Sequence, residues 1–132
     1  MNYQEDKIIK VSAILNGIRK SPRKMRLIVN LIKNKKLLSA LDILKYSKKK
    51  QVSIFLRKLL ISSLFNWRKK CSMNNLNLQE DFLYIKNIQV NQGKTLKRLR
   101  PVPQGRGHKI RKRSSKIIVF LENRNINYGS KN

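Results

Sequence analysis

Apolar positions along this chain change their period several times, and the changes divide it into elements. Ile8 to Leu15 carries Ile, Val and Leu with few breakers, which predicts a first strand. From Met25 the period turns helical, with Met25, Ile28, Val29 and Ile32 at the i, i+3, i+4, i+7 spacing, while Arg23, Lys24 and Arg26 fall largely off that stripe. Ser21-Pro22 stands just before it. Serine can cap the free amides of a first turn, and proline at the first helical position loses no needed hydrogen bond, so a helix begins there. After the break Lys33-Asn34-Lys35-Lys36, Leu37, Leu41 and Leu44 predict a short second helix. Ser47 then offers an N-cap for a third and longer one, from Lys48 to about Lys70. Its stripe is Val52, Phe55, Leu56, Leu59, Leu60 and Trp67, with small Ser62 and Ser63 leaving room for another helix to approach.

Cys71 to Asp81 is polar and Asn-rich and reads as a loop. Two runs then favour strand over helix, Phe82 to Val90 and Lys116 to Leu121. Between them lie Pro101, Pro103, Gly105 and Gly107, the chemistry of a reversal, so a long hairpin turns at Pro101 to Gly107. Extended from Leu83 to Pro101, an arm spans roughly 60 Å at about 3.3 Å per residue, far beyond a body with a radius of gyration near ~12 Å. The hairpin therefore protrudes. Few apolar residues lie between Asn91 and Arg113, and a lone two-stranded ribbon is barely stable in water, so the arm needs an external surface. The expectation is an α+β fold in one domain over 1–132. Its body covers about 8–90 and 114–121 and its hairpin about 83–121, with polar tails at 1–7 and 123–132.

Charge changes the picture from fold to partner. Against 32 Lys and Arg stand only Glu5, Asp6, Asp42, Glu80, Asp81 and Glu122, a formal net charge of +26. Such a chain repels itself unless a polyanion neutralises it, which points to nucleic acid. Val52 to Trp67, the most apolar segment, is interrupted by Arg57 and Lys58 and cannot span a bilayer. The start, MNYQEDKIIK, has acids before its first Lys and no apolar core of a secretory signal, so the protein is expected to stay inside the cell. Many Lys, Asn and Ile with only Ala13 and Ala40 suggest an AT-rich genome, as in a reduced-genome bacterium or an organelle.

The strongest chemical signal is the stretch Lys94 to Lys116, with ten Lys or Arg and no acid. Lysine supplies a compact charge and arginine a planar fork that grips two phosphate oxygens, so an extended basic ribbon can follow an RNA backbone at many points. The candidates are Lys94, Lys97, Arg98, Arg100, Arg106, Lys109, Arg111, Lys112, Arg113 and Lys116, with His108 as a hydrogen-bonding or stacking partner. Gly105 and Gly107 would remove bulk beside Arg106 and allow close backbone approach, or else simply make a tight turn. A second patch, Arg19, Lys20, Ser21, Arg23, Lys24 and Arg26, surrounds a helix N-terminus whose free amides also favour phosphate, set against plain capping. The bland reading of the whole arm is a solvated basic loop, and the +26 total argues against it.

Catalysis finds no support. His108 has no acid, Cys or His neighbour, Ser114-Ser115 has no base, and Cys71, the single cysteine, excludes an internal disulfide or thiolate-rich zinc site. No metal, cofactor or small-molecule substrate is expected. Trp67 and the leucine stripes are read as core, with Trp67 stacking on a base as the lesser alternative.

Five segments together carry a family resemblance: Ser21-Pro-Arg-Lys-Met-Arg-Leu27, Ala40-Leu-Asp-Ile-Leu-Lys45, Gly93-Lys-Thr-Leu-Lys-Arg-Leu-Arg-Pro101, Gly105-Arg106 and Ile110-Arg-Lys-Arg-Ser114. From roughly Lys10 to Leu121 the chain resembles the bacterial-type large-subunit ribosomal protein L22. That resemblance implies three helices packed on a small three-stranded antiparallel sheet, with the long β-hairpin drawn from two of its strands. It implies binding to several domains of large-subunit ribosomal RNA, a role in subunit assembly, neighbouring ribosomal proteins, and a hairpin that lines the nascent polypeptide exit tunnel. Residue by residue, Arg19, Lys20, Arg23, Lys24 and Arg26 fall on the family's body contact with RNA. Lys97, Arg98, Arg100, Arg106, Arg111, Lys112 and Arg113 fall on its hairpin contact. Pro101, Val102, Pro103, Gln104, Gly105, Arg106 and Gly107 would face or approach the tunnel. The chain departs from the family's commonest form at Lys94, where Pro is usual, at Gly107, where Ala is usual, and at Ser115-Lys116, where Ser-His is usual.

The implied location is the ribosome, in bacterial cytoplasm or an organelle. Two competing readings use the same charge: a free RNA chaperone or DNA-compacting protein, and a membrane-surface protein using the basic amphipathic segment Lys48 to Lys70.

Overall fold

The computed structural model describes residues 9–75, 80 and 83–123. The elements run β1 (Lys10–Ile18), α1 (Pro22–Ile32), α2 (Leu37–Lys45), α3 (Lys50–Met73), β2 (Leu83–Gln92), β3 (Leu96–Pro101), a single turn of 3-10 helix at Pro103–Gly105, β4 (Gly107–Lys112) and β5 (Ser115–Asn123). Among the described residues this is an α+β fold with three α-helices and antiparallel sheets of three and two strands. The three-stranded sheet has the order β1-β5-β2, so the last strand in sequence is the central one.

The first helix starts as its residues dictate. Ser21 has extended backbone and its Oγ accepts from the Lys24 amide at 3.4 Å, with Pro22 at the first helical position. Met25, Ile28, Val29 and Ile32 are all buried. Asn34 takes a left-handed φ of 63° and ends this run, because a short polar side chain tolerates that region better than most. The reversal lets the linker touch β2: Asn34 N donates to Ile85 O at 3.2 Å and Ile85 N to Lys35 O at 3.0 Å. The break at Lys33 to Lys36 thus covers part of a free sheet edge.

Several expected boundaries shift. Ser47 does not cap α3; its Oγ accepts from the Lys49 amide at 3.3 Å, and the capping position is Lys49, with no side-chain hydrogen bond. A hydroxyl two residues upstream has made a local turn instead. Cys71 does not open a loop, since α3 continues to Met73 and buries Cys71 as one more turn of its inward stripe. Burial pushes its thiol above the ordinary range, so it stays protonated. Phe55, expected on that stripe, is 38% exposed, and of the two small residues Ser63 is buried while Ser62 faces out. β1 runs on to Ile18, β2 to Gln92, and β5 spans Ser115–Asn123. Asn123 therefore belongs to the sheet and not to a tail: it is buried, and its Oδ1 accepts from the Ile9 amide at 2.6 Å. Phe82, the expected start of β2, and the tails at 1–7 and beyond Asn123 lie outside the described residues.

The helices cover one face of the sheet. Leu83, Ile85, Ile88 and Val90 of β2, Ile117, Val119 and Leu121 of β5 and Ala13 of β1 point into the same core as Met25, Ile32, Leu37, Ala40, Leu56, Leu60 and Trp67. Burial of each such large side chain contributes about 1.5–3 kcal/mol. Strict alternation would throw Ile88 to the outer face, and a register shift between Ile85 and Asn87 prevents this by inserting one residue. A second shift, between Leu15 and Ile18, coincides with Gly17 at φ +75°, a conformation that favours glycine. The outer face is open among the described residues, with Ile14 54% exposed and Ile118 and Phe120 half-buried.

The hairpin is not one continuous ribbon. Pairing of β2 with β5 stops at Gln92 and Ser115, and pairing of β3 with β4 begins at Leu96 and Lys112. The arm is a separate two-stranded sheet joined to the body through 93–95 and 113–114. No described helix is long and apolar enough to cross a membrane.

Candidate nucleic-acid interface

The arm presents almost nothing but charge. In the pairing Leu96↔Lys112, Lys97↔Arg111, Arg98↔Ile110, Leu99↔Lys109, Arg100↔His108, Pro101↔Gly107, only Leu96 and Ile110 are even half-buried, and Leu99 is 73% exposed. Side chains alternate across a strand, so the cations fall on both faces of the ribbon. Among the described residues no group of three or more His, Cys, Asp or Glu side chains could hold a metal ion.

At the tip Gln104 and Gly105 both have left-handed backbone, φ 75° and 69°, and Val102 N donates to Arg106 O at 3.0 Å to close the turn. The reversal falls where Pro101 to Gly107 was expected. Every residue of that segment is exposed except half-buried Val102. Gly107 differs from Gly105. It has no left-handed φ, and a Cβ there would lie 3.6 Å from Leu99 Cδ2, an ordinary contact. The tip thus requires one glycine and not two.

The body patch and the foot of the arm meet. A cleft of about 610 Å³ is lined by Arg19, Lys20 and Lys24 on the body side and Lys94, Arg111, Lys112 and Arg113 on the arm side. Hydrogen bonds hold this root together. Gly93 N donates to Ser114 O at 2.8 Å, Ser114 Oγ to Lys94 O at 2.6 Å, and Ser115 Oγ to Lys20 O at 2.5 Å. Ser114-Ser115, considered above as nucleophiles, are structural fasteners. A Cβ on Gly93 would sit 2.6 Å from Ser114 Oγ, so a side chain there would turn that hydroxyl away from Lys94 O.

The basic surface extends beyond the expected residues. Lys20 and Lys24 border a second depression with Lys48, Lys49 and Lys50 at the start of α3. Sequence reasoning passed over these lysines, although a signal existed. Cations oppose the dipole at a helix N-terminus, and neither α1 nor α3 has an acidic residue in its first turn. Two helices thus begin with positive charge that no first-turn acid compensates, and both border one depression.

One predicted contact also serves the fold. Arg26 is exposed, and its Nη2 donates to Val90 O at 2.9 Å at the edge of β2. Arg19, Arg23, Lys24, Lys94, Lys97, Arg98, Arg100, Arg106, His108, Lys109, Arg111, Lys112 and Arg113 are exposed, and Lys20, Ser21 and Lys116 are half-buried. The acids Glu80 and Glu122 are engaged by Arg68 and Lys86, neither of which lines the cleft. Trp67 is 1% exposed and lies in the core, which removes base stacking as its role.

Comparison with known proteins agrees with this geometry. Residues 13–122 match the family model described as ribosomal protein L22p/L17e. The chain is 50% identical over 109 residues to the large ribosomal subunit protein uL22 of Christiangramia forsetii, covering 83% of this chain and 78% of the relative. To the protein of the same name in Porphyromonas gingivalis it is 42% identical over 113 residues, 86% and 81% of the two chains. To that of Karelsulcia muelleri it is 39% identical over 127 residues, 96% and 90%. These relatives are bacterial ribosomal proteins and the family is structural, so the chain is not an enzyme. A match over most of the length, on a fold with the sheet, helices and basic arm described above, assigns it: the chain belongs to the ribosomal protein L22p/L17e family.

Proposed function

We propose that this chain is a structural constituent of the large ribosomal subunit that binds large-subunit ribosomal RNA through its body and arm, aids subunit assembly, and lines the nascent polypeptide exit tunnel with its hairpin tip. The observation that carries the reading is the unbroken basic surface from Lys48–Lys50 through the root cleft and out along β3 and β4. A solvated loop has no need of such continuity, whereas a polyanion that wraps body and arm does. The arm's paucity of apolar contacts supports the same reading, because a ribbon of this kind gains its order from the surface that holds it.

Within this reading Arg19, Lys20, Arg23 and Lys24 anchor the body, and Lys94, Lys97, Arg98, Arg100, Arg106, Lys109, Arg111, Lys112, Arg113 and Lys116 hold the arm, with His108 as an additional contact. Pro101 to Gly107 approaches the tunnel and meets the nascent chain, and neighbouring ribosomal proteins abut the body. All of 1–132 acts as one unit, in bacterial cytoplasm. Affinity falls steeply with salt, by roughly 10³- to 10⁵-fold between about 50 and 200 mM for about six to ten phosphate contacts.

Gradient fractionation of native lysate tests the assignment. The chain is expected in the large subunit and its precursors, crosslinked to RNA through the arm. Its absence from both would end the reading. Equal competition by unrelated duplexes would favour a free RNA chaperone instead.

A further inference from the structure

The root cleft differs in kind from the rest of the basic surface, because its two walls belong to different sheets: β1 pairs with β5 as far as Ile18 and Ser115, and the arm beyond pairs only within itself. One wall is the end of β1 and the start of α1, with Arg19, Lys20 and Lys24; the other is the foot of the arm, with Lys94, Arg111 and Arg113. Between them the ladders are interrupted, at 93–95 on one side and 113–114 on the other, and the joint is spanned by the hydrogen bonds of Gly93, Ser114 and Ser115. No residue lining the cleft is acidic. Like charges facing each other across a joint push it open, and an anion seated between them draws it shut.

We propose that this cleft is a single RNA-backbone site shared by body and arm. The proposal rests on the RNA-binding reading above and adds that the two basic patches act as one clasp. The form of the cleft favours a chain over a small anion. It is open, its cations continue along β3 and β4 in one direction, and in the other they continue over Lys48–Lys50. Its volume of about 610 Å³ also exceeds what one phosphate fills. A backbone segment lying across it would place successive phosphates against opposite walls.

A double-mutant cycle on the full chain tests the clasp. The body pair is Arg19→Gln with Lys24→Gln, the root pair Arg111→Gln with Arg113→Gln, and the distal control pair Arg98→Gln with Arg100→Gln. All six side chains are exposed, and circular dichroism verifies that each variant is folded. Binding to a large-subunit RNA transcript is measured across a salt series. Each double variant is expected to weaken binding by about tenfold and to lower the salt slope by about two. Body and root variants combined should lose little more than either alone, because releasing one wall frees the segment from the other. Body and distal variants combined should multiply, to about a hundredfold. If body and root losses also multiply, the clasp is wrong and the patches are independent. If inorganic tripolyphosphate at micromolar concentration displaces the transcript from the native chain but not from the root variant, the site takes a compact anion and the chain-like ligand is wrong. The ribosomal reading fails separately, when an unrelated RNA of equal length binds as tightly. The cycle is still readable on that RNA.

Discussion

The guanidinium of Arg26 reaches from α1 to the carbonyl of Val90 on β2, 2.9 Å away. β2 is an edge strand, paired only with β5 along its inner side, and Val90 lies two residues before the end of that pairing. Arg26 and the linker contacts at Ile85 together occupy an edge that would otherwise offer unpaired backbone to another strand. Arg26→Gln should therefore lower stability by about 1 kcal/mol in urea unfolding, less than the roughly 1.5–3 kcal/mol of a hydrogen bond from a charged donor because Arg26 is exposed. Arg23→Gln, an exposed change on the same helix, should leave the unfolding midpoint in place and weaken RNA binding.

The two tip glycines should respond differently. Gly105→Ala places a Cβ on a left-handed residue, at a cost of about 1–2 kcal/mol. Since Val102 N–H closes this turn, its hydrogen exchange should quicken by about tenfold. Gly107→Ala should leave that exchange unchanged, because its Cβ meets only an ordinary contact with Leu99.

Trp67 is the single tryptophan and is 1% exposed, so its fluorescence reports the core. Its emission maximum should stay in place as RNA is added and shift red only on unfolding. Trp67→Ala should cost about 3–5 kcal/mol through the cavity it leaves. Trp67→Phe should cost less than half as much, since it also removes a buried indole N–H that has no partner among the described residues.

Glu80 accepts hydrogen bonds from Arg68, and that contact holds its carboxyl below the usual carboxylate value of 4.5. A lowered folded value means the stabilisation is present above 4.5 and is lost as pH falls through the lower folded value. The pair is exposed, so the effect is small and fades in high salt. Glu80→Gln should lower stability slightly at neutral pH and leave the acid value in place, which flattens the acid limb and would be detected by thermal melts at low salt.

Local signals in the chain carried the elements well where one residue decides a backbone event. Ser21-Pro22 starts α1, the helical stripe Met25 to Ile32 is buried, and the tip falls among Pro101 to Gly107. The misses are tertiary. Ser47 had the right chemistry for a cap but found a nearer amide, and Cys71 continues a helix because the core reaches one turn farther than the polar composition suggests. Nothing local to Arg26 shows that its guanidinium reaches Val90 O on another element. The two basic patches are about seventy residues or more apart in sequence, so only the fold could show that they share a cleft. The lysines at 48–50 were visible as a run, but their importance came from facing α1.

The position of β5 governs the order of events during synthesis. It is made last among the strands and lies between β1 and β2, which do not pair with each other. While the ribosome is still translating the arm, neither outer strand has its partner, and the helices have no finished sheet to cover. Closure of the body must wait for Ser115–Asn123 to emerge, a consequence of long-range pairing. Every complete body therefore already carries its arm, and a chain that stops short of β5 is left with two unpaired strands, a substrate for proteases.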